Sequence, residues 1–347
     1  MSELDSIVQT TKIKSEKSFT IGNQRYDFTF SEKNKYDNLD LKNETNFQIN
    51  ALLDALKNQL YQIFHCRQSG NQQQMFTAHN YSDNRNFVEM LSNANTGIGT
   101  WEPGWEVYKI ERNERLVVKK NGINIWLHPY QFLPLDGNHI EIGSKGYVSM
   151  VKEFRDLLPG FYMANGNISL EEHSSIVRIY WNIVSDGATP LMNNLTTKLN
   201  TDKIPFQFKI LNDTNYFNRA DAGVLYLNKK DIEKATAALS HLYRNIKSFS
   251  RADTPLLAKR LAPGISLAED PETGDSFGQN RSRILAESFY EIYKKNISET
   301  EEKIEEIRKY FLTKDIDLNR PYLKNIKSID NYEKILCVEF DQNDSTQ

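Results

Sequence analysis

The sequence has few cysteines, no long apolar run and no large excess of charge of one sign. Its 347 residues include two cysteines, Cys66 and Cys337, which lie too far apart in sequence to form a metal-binding or redox motif. This shortage excludes a dense disulfide framework, and we expect both thiols to be structural in a reducing cytosol.

The same shortages argue against membrane and nucleic-acid proteins. No apolar segment approaches the roughly 20 residues of a membrane span, and the N-terminal stretch MSELDSIVQTTKIK lacks the apolar core of a signal peptide. A formal net charge of −3 and an isoelectric point near 6.1 argue against broad binding of nucleic acid or of an anionic membrane. We expect a soluble, cytoplasmic protein in which any anion site is compact.

Motifs for nucleotides, metals and serine nucleophiles are also missing. Gly97-Ile98-Gly99 lacks the third glycine of a dinucleotide loop, and no Walker-type sequence occurs. The six histidines show no ligand spacing with one another or with the cysteines. No Gly-x-Ser-x-Gly motif is present. The sequence therefore predicts neither a metal nor a cofactor.

Helical and extended patterns are mixed along the chain, and 39% hydrophobic residues suffice for a core. We predict an α+β fold with a mixed or antiparallel sheet flanked by helices and a partly helical N-terminal region. We divide the chain into a region 1–100, partly disordered and then helical, an α+β domain 101–325, and a C-terminal tail 326–347.

Several elements follow from the periodicity. The polar arm Met1–Asn46 is expected to be loosely ordered. Apolar residues at helical spacing predict an amphipathic helix over Phe47–Phe64, and further helices over Val148–Leu158 and from about Arg283 to Lys295. The segment Arg251–Arg283 shows no sustained period, which predicts a long, ordered loop. Its closing arginines at a helix start would favour an anion.

A hairpin is predicted where Asn121-Gly122 joins the strands Arg115–Lys120 and Ile123–Leu127. The surrounding region, Trp101–Leu127, is a candidate for peptide recognition.

Two further strands place polar side chains on one face of a sheet. In Pro205–Leu211 (PFQFKIL), alternation directs Phe206, Phe208 and Ile210 to the core and Lys209 to the opposite face. In Arg178–Val184 (RIYWNIV), the same alternation separates the apolar residues from Arg178, Tyr180 and Asn182. Lys209 thus lies on a rigid element, where an amine can be aimed.

Five segments of the chain, from roughly Pro159 to Phe289, resemble the HopA-type effector family. The segments are PGFYMANG at Pro159–Gly166, RIYWNIV, PFQFKIL, RADAGVLYL at Arg219–Leu227, and TPLLAKRLAPGISLAEDP with SFGQNRSR within Thr254–Arg283. The family includes type III secretion effectors and the lyase-like partners of aminoglycoside-phosphotransferase-like kinases in thioamitide and class V lanthipeptide pathways. More remotely, the chain is similar to phosphothreonine lyases.

The resemblance implies that region 101–325 is a lyase-like domain and that Lys209 is the base of a phosphate elimination. It implies that Arg178, Arg219, Arg281 and Arg283 bind the phosphate. Tyr180 stands where the lyase pattern has a histidine acid, so the acid is either Tyr180 or, as a fallback, His173. The implied partners are a phosphorylated peptide and a separate kinase.

The residue types suit that chemistry. Elimination needs a base for a weakly acidic α proton, and a lysine acts as a base only when it is neutral. Guanidinium groups bind phosphate bidentately and stabilise charge on the departing oxygens. The products would be dehydroalanine or dehydrobutyrine in a peptide.

Structural alternatives remain open for the same residues. Lys209 can be a solvent-facing strand residue, and Tyr180 an ordinary residue of the sheet surface. Arg219 can form a turn pair with Asp221, while Arg281 and Arg283 can salt-bridge Glu269, Asp270 or Asp275. The chain would then be a non-enzymatic effector or scaffold that binds a protein, or an inactive subunit that stabilises its kinase.

Overall fold

The protein has an α+β fold, as the sequence predicts. The structure, a computed structural model, describes residues 3–27, 41–68, 84–137, 139–171, 173–333 and 335. Cys337 and His79 lie outside the described residues. None of the described helices is long and apolar enough to cross a membrane.

The α-helices, in chain order, are α1 Glu3–Thr10, α2 Leu41–Leu60, α3 Arg85–Ala94, α4 Ala188–Thr201, α5 Ile232–Ile246, α6 Phe277–Lys294 and α7 Thr300–Thr313. The strands are β1 Thr11–Ser15, β2 Ser18–Ile21, β3 Gln24–Asp27, β4 Thr100–Ile110, β5 Leu116–Lys120, β6 Ile123–Leu127, β7 Phe132–Pro134, β8 Lys145–Met150, β9 Glu153–Leu158, β10 Phe161–Asn165, β11 Ile176–Trp181, β12 Phe206–Leu211, β13 Gly223–Asn228, β14 Lys259–Ala262 and β15 Ile265–Glu269.

A seven-stranded sheet forms the centre of the fold, in the order β14-β15-β11-β13-β12-β10-β9. Every pairing in it is antiparallel. The connection from β11 through α4 to β12 is a strand-helix-strand unit, and β13 lies between its two strands. Because β11 and β12 both pair with β13, their polar side chains share one face across three neighbouring strands.

The other face of this sheet carries the main core. Trp181, Phe206 and Phe208 are at most 1% exposed and belong to one apolar cluster with residues of α4 and α5. α4 begins near Pro190, which suits the first turn of a helix because it needs no N–H donor there. The alternation predicted for β11 and β12 is therefore confirmed, since the apolar half of each strand faces these helices.

The N-terminal arm is more ordered than expected over residues 3–27. It forms α1 and a three-stranded antiparallel sheet of β1, β2 and β3. Ile7, Val8 and Phe19 are at most 1% exposed and pack in a second apolar cluster with residues of α2, α6 and α7. Few apolar residues are enough to order this arm, because they pack against helices that lie far away in sequence.

A five-stranded antiparallel sheet, ordered β6-β5-β4-β8-β7, lies between the N-terminal helices and the central sheet in sequence. The predicted hairpin is confirmed: β5 pairs with β6, and Asn121 and Gly122 both have positive φ. Trp126 and Tyr108 of this sheet are more than half exposed.

The prediction of a helix over Val148–Leu158 is wrong. These residues belong instead to β8 and β9, which pair with β4 and β10 respectively. A short apolar segment of this kind fits either period, and pairing with strands distant in sequence decides the outcome.

The expected loop Arg251–Arg283 contains a hairpin and the start of a helix. β15 is buried along its whole length and pairs with β11, so it is an interior strand of the central sheet. α6 begins at Phe277 behind the cap Ser276, which accepts a hydrogen bond from the Gln279 N–H at 3.2 Å. Arg281 and Arg283 therefore lie within the helix rather than at its first free N–H groups.

Residues beyond 325 also contact the core. Tyr332 is fully buried, and its hydroxyl donates a hydrogen bond to Glu269 at 2.7 Å. Ile335 is 5% exposed and joins the main apolar cluster.

Candidate functional site

The polar face of the central sheet brings Lys209 and Tyr180 to opposite sides of one small residue. Lys209 on β12 lies directly opposite Val224 on β13, and Val224 lies opposite Tyr180 on β11. Two strand spacings separate the backbones of Lys209 and Tyr180, or roughly 10 Å. Arg178 and Tyr226 form the adjacent cross-strand pair.

Lys209 is half-buried on its strand. Its Nζ lies 4.6 Å from the centroid of the Phe161 ring, and the Cζ of Arg219 lies 5.9 Å from the same centroid. Among the described residues, the amine forms no hydrogen bond and no ion pair. The amine of Lys209 and the guanidinium of Arg219 therefore contact the same aromatic ring.

Arg219 and Asp221 form a buried, bidentate ion pair at one end of this face. Arg219 Nε donates to Asp221 Oδ1 at 2.5 Å, and a second nitrogen donates to Oδ2 at 2.8 Å. Burial alone would raise the pKa of Asp221, but the charge and hydrogen bonds of Arg219 hold that pKa far below its usual range. The arrangement matches the turn pair considered from the sequence.

Residues that precede the central sheet complete the surroundings of this pair. Tyr61 donates to Asp221 Oδ2 at 3.2 Å, and Arg219 lies 3.1 Å from the Cys66 sulfur. Burial raises the pKa of the Cys66 thiol, and Asp221 raises it further. Cys66 is therefore a packed, protonated thiol, as expected.

Arg178 lies on the opposite side of the face. Its Nε donates to Asp270 Oδ2 at 2.8 Å, and its guanidinium carbon lies 5.3 Å from the centroid of the Tyr226 ring. The side chain is 12% exposed. Arg178 is thus a carboxylate-paired cation that still has surface available to a ligand.

Arg281 and Arg283 have different surroundings. Arg281 is 2% exposed and donates to the backbone oxygens of Pro321 at 2.8 Å and Leu323 at 2.7 Å. Burial lowers its pKa to about 10. Arg283 is 47% exposed in its side chain and pairs with Asp275. Arg281 therefore anchors the C-terminal segment from behind Phe277, and Arg283 lies on the outer side of α6.

Sequence reasoning missed His65, which covers the polar face from the π-helical turn Tyr61–His65 after α2. Its ring meets the Tyr180 ring edge to face at 5.4 Å, and its Nε2 lies 3.9 Å from Asp221 Oδ2. Burial lowers the pKa of His65 to about 4, and Arg219, Lys209 and Arg178 act in the same direction. No motif marks this histidine, because its partners lie more than 100 residues later in the chain.

Gly278 in the first turn of α6 makes room for this histidine. A Cβ at that position would lie 2.5 Å from His65 Nε2. The fallback acid His173 lies elsewhere, exposed in the loop before β11 with φ of 60°.

Several buried polar atoms on this face have no hydrogen-bond partner among the described residues, and three of them surround the Tyr180 ring or its cross-strand neighbour. These three are His65 Nδ1, Tyr180 Oη and Ser266 Oγ. Ser266 on β15 lies directly opposite Tyr180, so both side chains point to the same side of the sheet. Burial raises the pKa of Tyr180, which keeps its hydroxyl protonated.

Residues 153–323 match the HopA1 effector protein family. We call residues 153–323 the HopA1 segment, because they are the part of the chain that matches this family model. It spans just under half of the chain and contains Lys209, Tyr180 and the four arginines, whereas His65 precedes it. The resemblance drawn from the sequence is therefore confirmed at the level of the effector family.

Two solved structures are similar to the chain that contains this HopA1 segment. One is the effector protein from Pseudomonas syringae pv. tomato strain DC3000, with 16% identity, a TM-score of 0.46, and coverage of 80% of this chain and 95% of that one. The other is the effector protein from Pseudomonas syringae pv. syringae strain 61, with 14% identity, a TM-score of 0.45, and coverage of 79% and 96%. No curated protein matches the chain.

Proposed function

We propose that the protein is a phosphoserine or phosphothreonine lyase that eliminates phosphate from a peptide. The observation that carries this proposal is the unpaired amine of Lys209, held on a rigid strand with Arg219 beside the same aromatic ring. An amine without a carboxylate partner is available as a base in a way that an ion-paired lysine is not.

In the proposed reaction, the neutral amine of Lys209 takes the α proton of the phosphorylated residue. The electron pair of the broken C–H bond forms the double bond between Cα and Cβ, while the Cβ–O bond breaks and its electrons leave with the phosphate. Tyr180, across Val224 from Lys209, supplies a hydrogen bond or a proton to the leaving oxygen. Arg178 and Arg219 stabilise the charge that gathers on the phosphate.

Substrate approach is restricted by burial. Tyr180 and Arg219 are at most 6% exposed, whereas Lys209 and Arg178 retain more exposed surface. A phosphopeptide would therefore meet Lys209 and Arg178 first. A groove of about 760 Å³ between β4 and residues 167–171, lined by Trp101 and Ile168, is where we place the rest of the peptide.

We further propose that a separate kinase phosphorylates the peptide first, as the similarity to thioamitide and class V lanthipeptide proteins implies. The products would then be dehydroalanine and dehydrobutyrine residues. We propose that the reaction takes place in a cytoplasm, which is that of the producing cell or, for an exported effector, that of the recipient cell.

A non-enzymatic scaffold is the second candidate, and one observation favours it. Arg178 and Arg219 are each paired with an aspartate of the same chain, so a phosphate would have to share them with Asp270 and Asp221. A scaffold that binds a protein or kinase would use these pairs only to hold the fold.

Incubation with phosphothreonine and phosphoserine peptides, followed by mass spectrometry, distinguishes the two. The lyase predicts loss of the elements of phosphoric acid and a dehydroamino acid that adds a thiol. Release of inorganic phosphate with threonine left intact would indicate hydrolysis, and unchanged peptides of every sequence tested would favour the scaffold.

A further inference from the structure

Among the described residues, three buried polar atoms without a hydrogen-bond partner come to the polar face from elements distant in sequence: the His65 ring contacts the Tyr180 ring, and Ser266 lies opposite Tyr180. His65 comes from the turn after α2, Tyr180 from β11 and Ser266 from β15, and their exposed fractions are 3%, 2% and 0%. A buried donor or acceptor without a partner loses its hydration and gains nothing in return. Three such atoms on one face therefore point to a polar ligand that hydrogen-bonds them.

The surroundings favour a ligand with negative charge. Lys209, Arg219 and Arg178 are all close enough to His65 to disfavour its protonated form. The N-terminus of α6 adds the positive end of a helix dipole, since Gly278 in its first turn lies against the His65 ring. The carboxylate of Asp221 faces the imidazole, and Arg219 neutralises its charge.

The arginine pairs explain why neutral donors are needed here. Arg178 and Arg219 already donate to Asp270 and Asp221 and cannot supply all the hydrogen bonds of a phosphoryl group. The hydroxyls of Tyr180 and Ser266 and an imidazole N–H can supply the remainder. In a buried site such fixed neutral donors stabilise an oxyanion more strongly than they would in water.

We propose that His65, Tyr180 and Ser266 form a binding site for a tetrahedral oxyanion and seat the phosphoryl group of the substrate. The assignment of the anion as that of the substrate rests on the function proposed above. Because His65 lies outside residues 153–323, the proposed site includes a residue from the region before the HopA1 segment.

The geometry of His65 also couples anion binding to a proton. Nε2 faces Asp221, and Nδ1 is the unpartnered atom, so a bound oxyanion places negative charge on both sides of the ring. In the free protein the pKa of His65 is about 4. A second anion stabilises the imidazolium, and binding should therefore take up a proton. The titratable and charged groups that face the ring from the packed elements are Tyr61, Cys66, Arg178, Tyr180, Lys209, Arg219 and Asp221.

Binding of inorganic sulfate and phosphate to the full-length protein tests the site by calorimetry. The intact protein should bind one sulfate saturably. Both His65→Gln and Ser266→Ala should weaken that binding roughly tenfold, the effect expected of a lost hydrogen bond to a charged group. The matched control His128→Gln alters an exposed histidine of the five-stranded sheet and should leave the affinity unchanged. Absence of saturable binding, or equal affinity in all these proteins, would overturn the site.

The pH dependence of sulfate affinity tests whether anion binding takes up a proton. Sulfate remains a dianion between about pH 7 and about pH 5, so its affinity should rise as the pH falls in the intact protein and in Ser266→Ala. The rise should be absent from His65→Gln, and a rise retained in that variant would exclude His65 as the group that takes up the proton.

Failure of the site and failure of the lyase give different results. Elimination from phosphopeptides with sulfate affinity insensitive to His65 would remove the site and leave the lyase. Sulfate binding that depends on His65, without elimination, would leave the site and remove the lyase.

Discussion

The two faces of the seven-stranded sheet are built from the same strands but differ in what they contact. On one face, Trp181 and Phe208 are fully buried under α4 and α5. On the other, neither the Lys209 amine nor the Tyr180 hydroxyl has a hydrogen-bond partner among the described residues. The difference suggests two roles: the apolar face forms the core, and the polar face is where we propose that a ligand binds. Phe208 and Lys209 are neighbours on one strand and face opposite sides of the sheet, so substitutions of these two residues test the two faces separately.

Lys209→Ala should give the largest effect, and only on activity. Removal of a general base typically costs about 10²- to 10⁴-fold in rate, while stability should change by less than about 1 kcal/mol because the amine has no partner among the described residues. The rate of phosphate loss from a phosphothreonine peptide, with urea unfolding in parallel, measures both. Lys119→Ala, a strand lysine of the five-stranded sheet, is the matched control.

Phe208→Ala should show the reverse pattern. Truncation of a fully buried phenylalanine costs about 3–5 kcal/mol of unfolding free energy, from lost transfer energy and from the cavity left behind. Urea unfolding measures this loss of unfolding free energy. If this variant instead kept its stability and lost activity in the folded state, the division of labour between the two faces would be wrong.

His65 should give a smaller, pH-dependent effect on stability. Its pKa is about 4 in the folded protein and near 6.5 when unfolded, so the unfolded chain binds the extra proton first as the pH falls. The contribution of neutral His65 is therefore complete above about pH 6.5 and is lost towards pH 4, by about 3 kcal/mol in total.

Unfolding free energies of the intact protein and of His65→Gln across this range provide the measurement. The variant should lack this part of the slope, whereas His128→Gln should retain it. Parallel slopes in all three proteins would show that the His65 ring is not held neutral by burial.

Arg283→Gln should have the smallest effect. Its exposed pair with Asp275 is worth between about zero and 1 kcal/mol, and Arg283 lies on the outer side of α6. We expect stability to change by less than about 0.5 kcal/mol and the rate of elimination to remain within about twofold. A large loss of activity would mean that Arg283 reaches the phosphate after all.

The sequence predicts those parts of the fold that depend on local patterns. The alternation around Lys209 and Tyr180 and the Asn121-Gly122 turn require only short-range sterics and the period of a strand. The same reasoning failed for Val148–Leu158, where long-range pairing decided between helix and strand, and for β15, whose partner β11 lies about 90 residues earlier.

The arrangement of the candidate site residues could be predicted from the sequence only in part, for the same reason. Alternation alone puts Tyr180 and Arg178 on one face of their strand and Lys209 on the polar face of its own, whereas the pairing of both strands with β13 brings these faces together. His65 could not be placed in this way, because its position depends on the packing of α2 against α6 and on the space left by Gly278. The pairing of Arg178 with Asp270 likewise depends on β15, which lies in a segment without a sustained period and pairs with a strand distant in sequence.

A phosphothreonine peptide deuterated at Cα tests the central claim most directly. β-Elimination removes the phosphate and the α deuterium together, so mass spectrometry of the product should show both losses in the same molecules. Release of phosphate from a product that keeps both its deuterium and its side-chain oxygen would contradict the account.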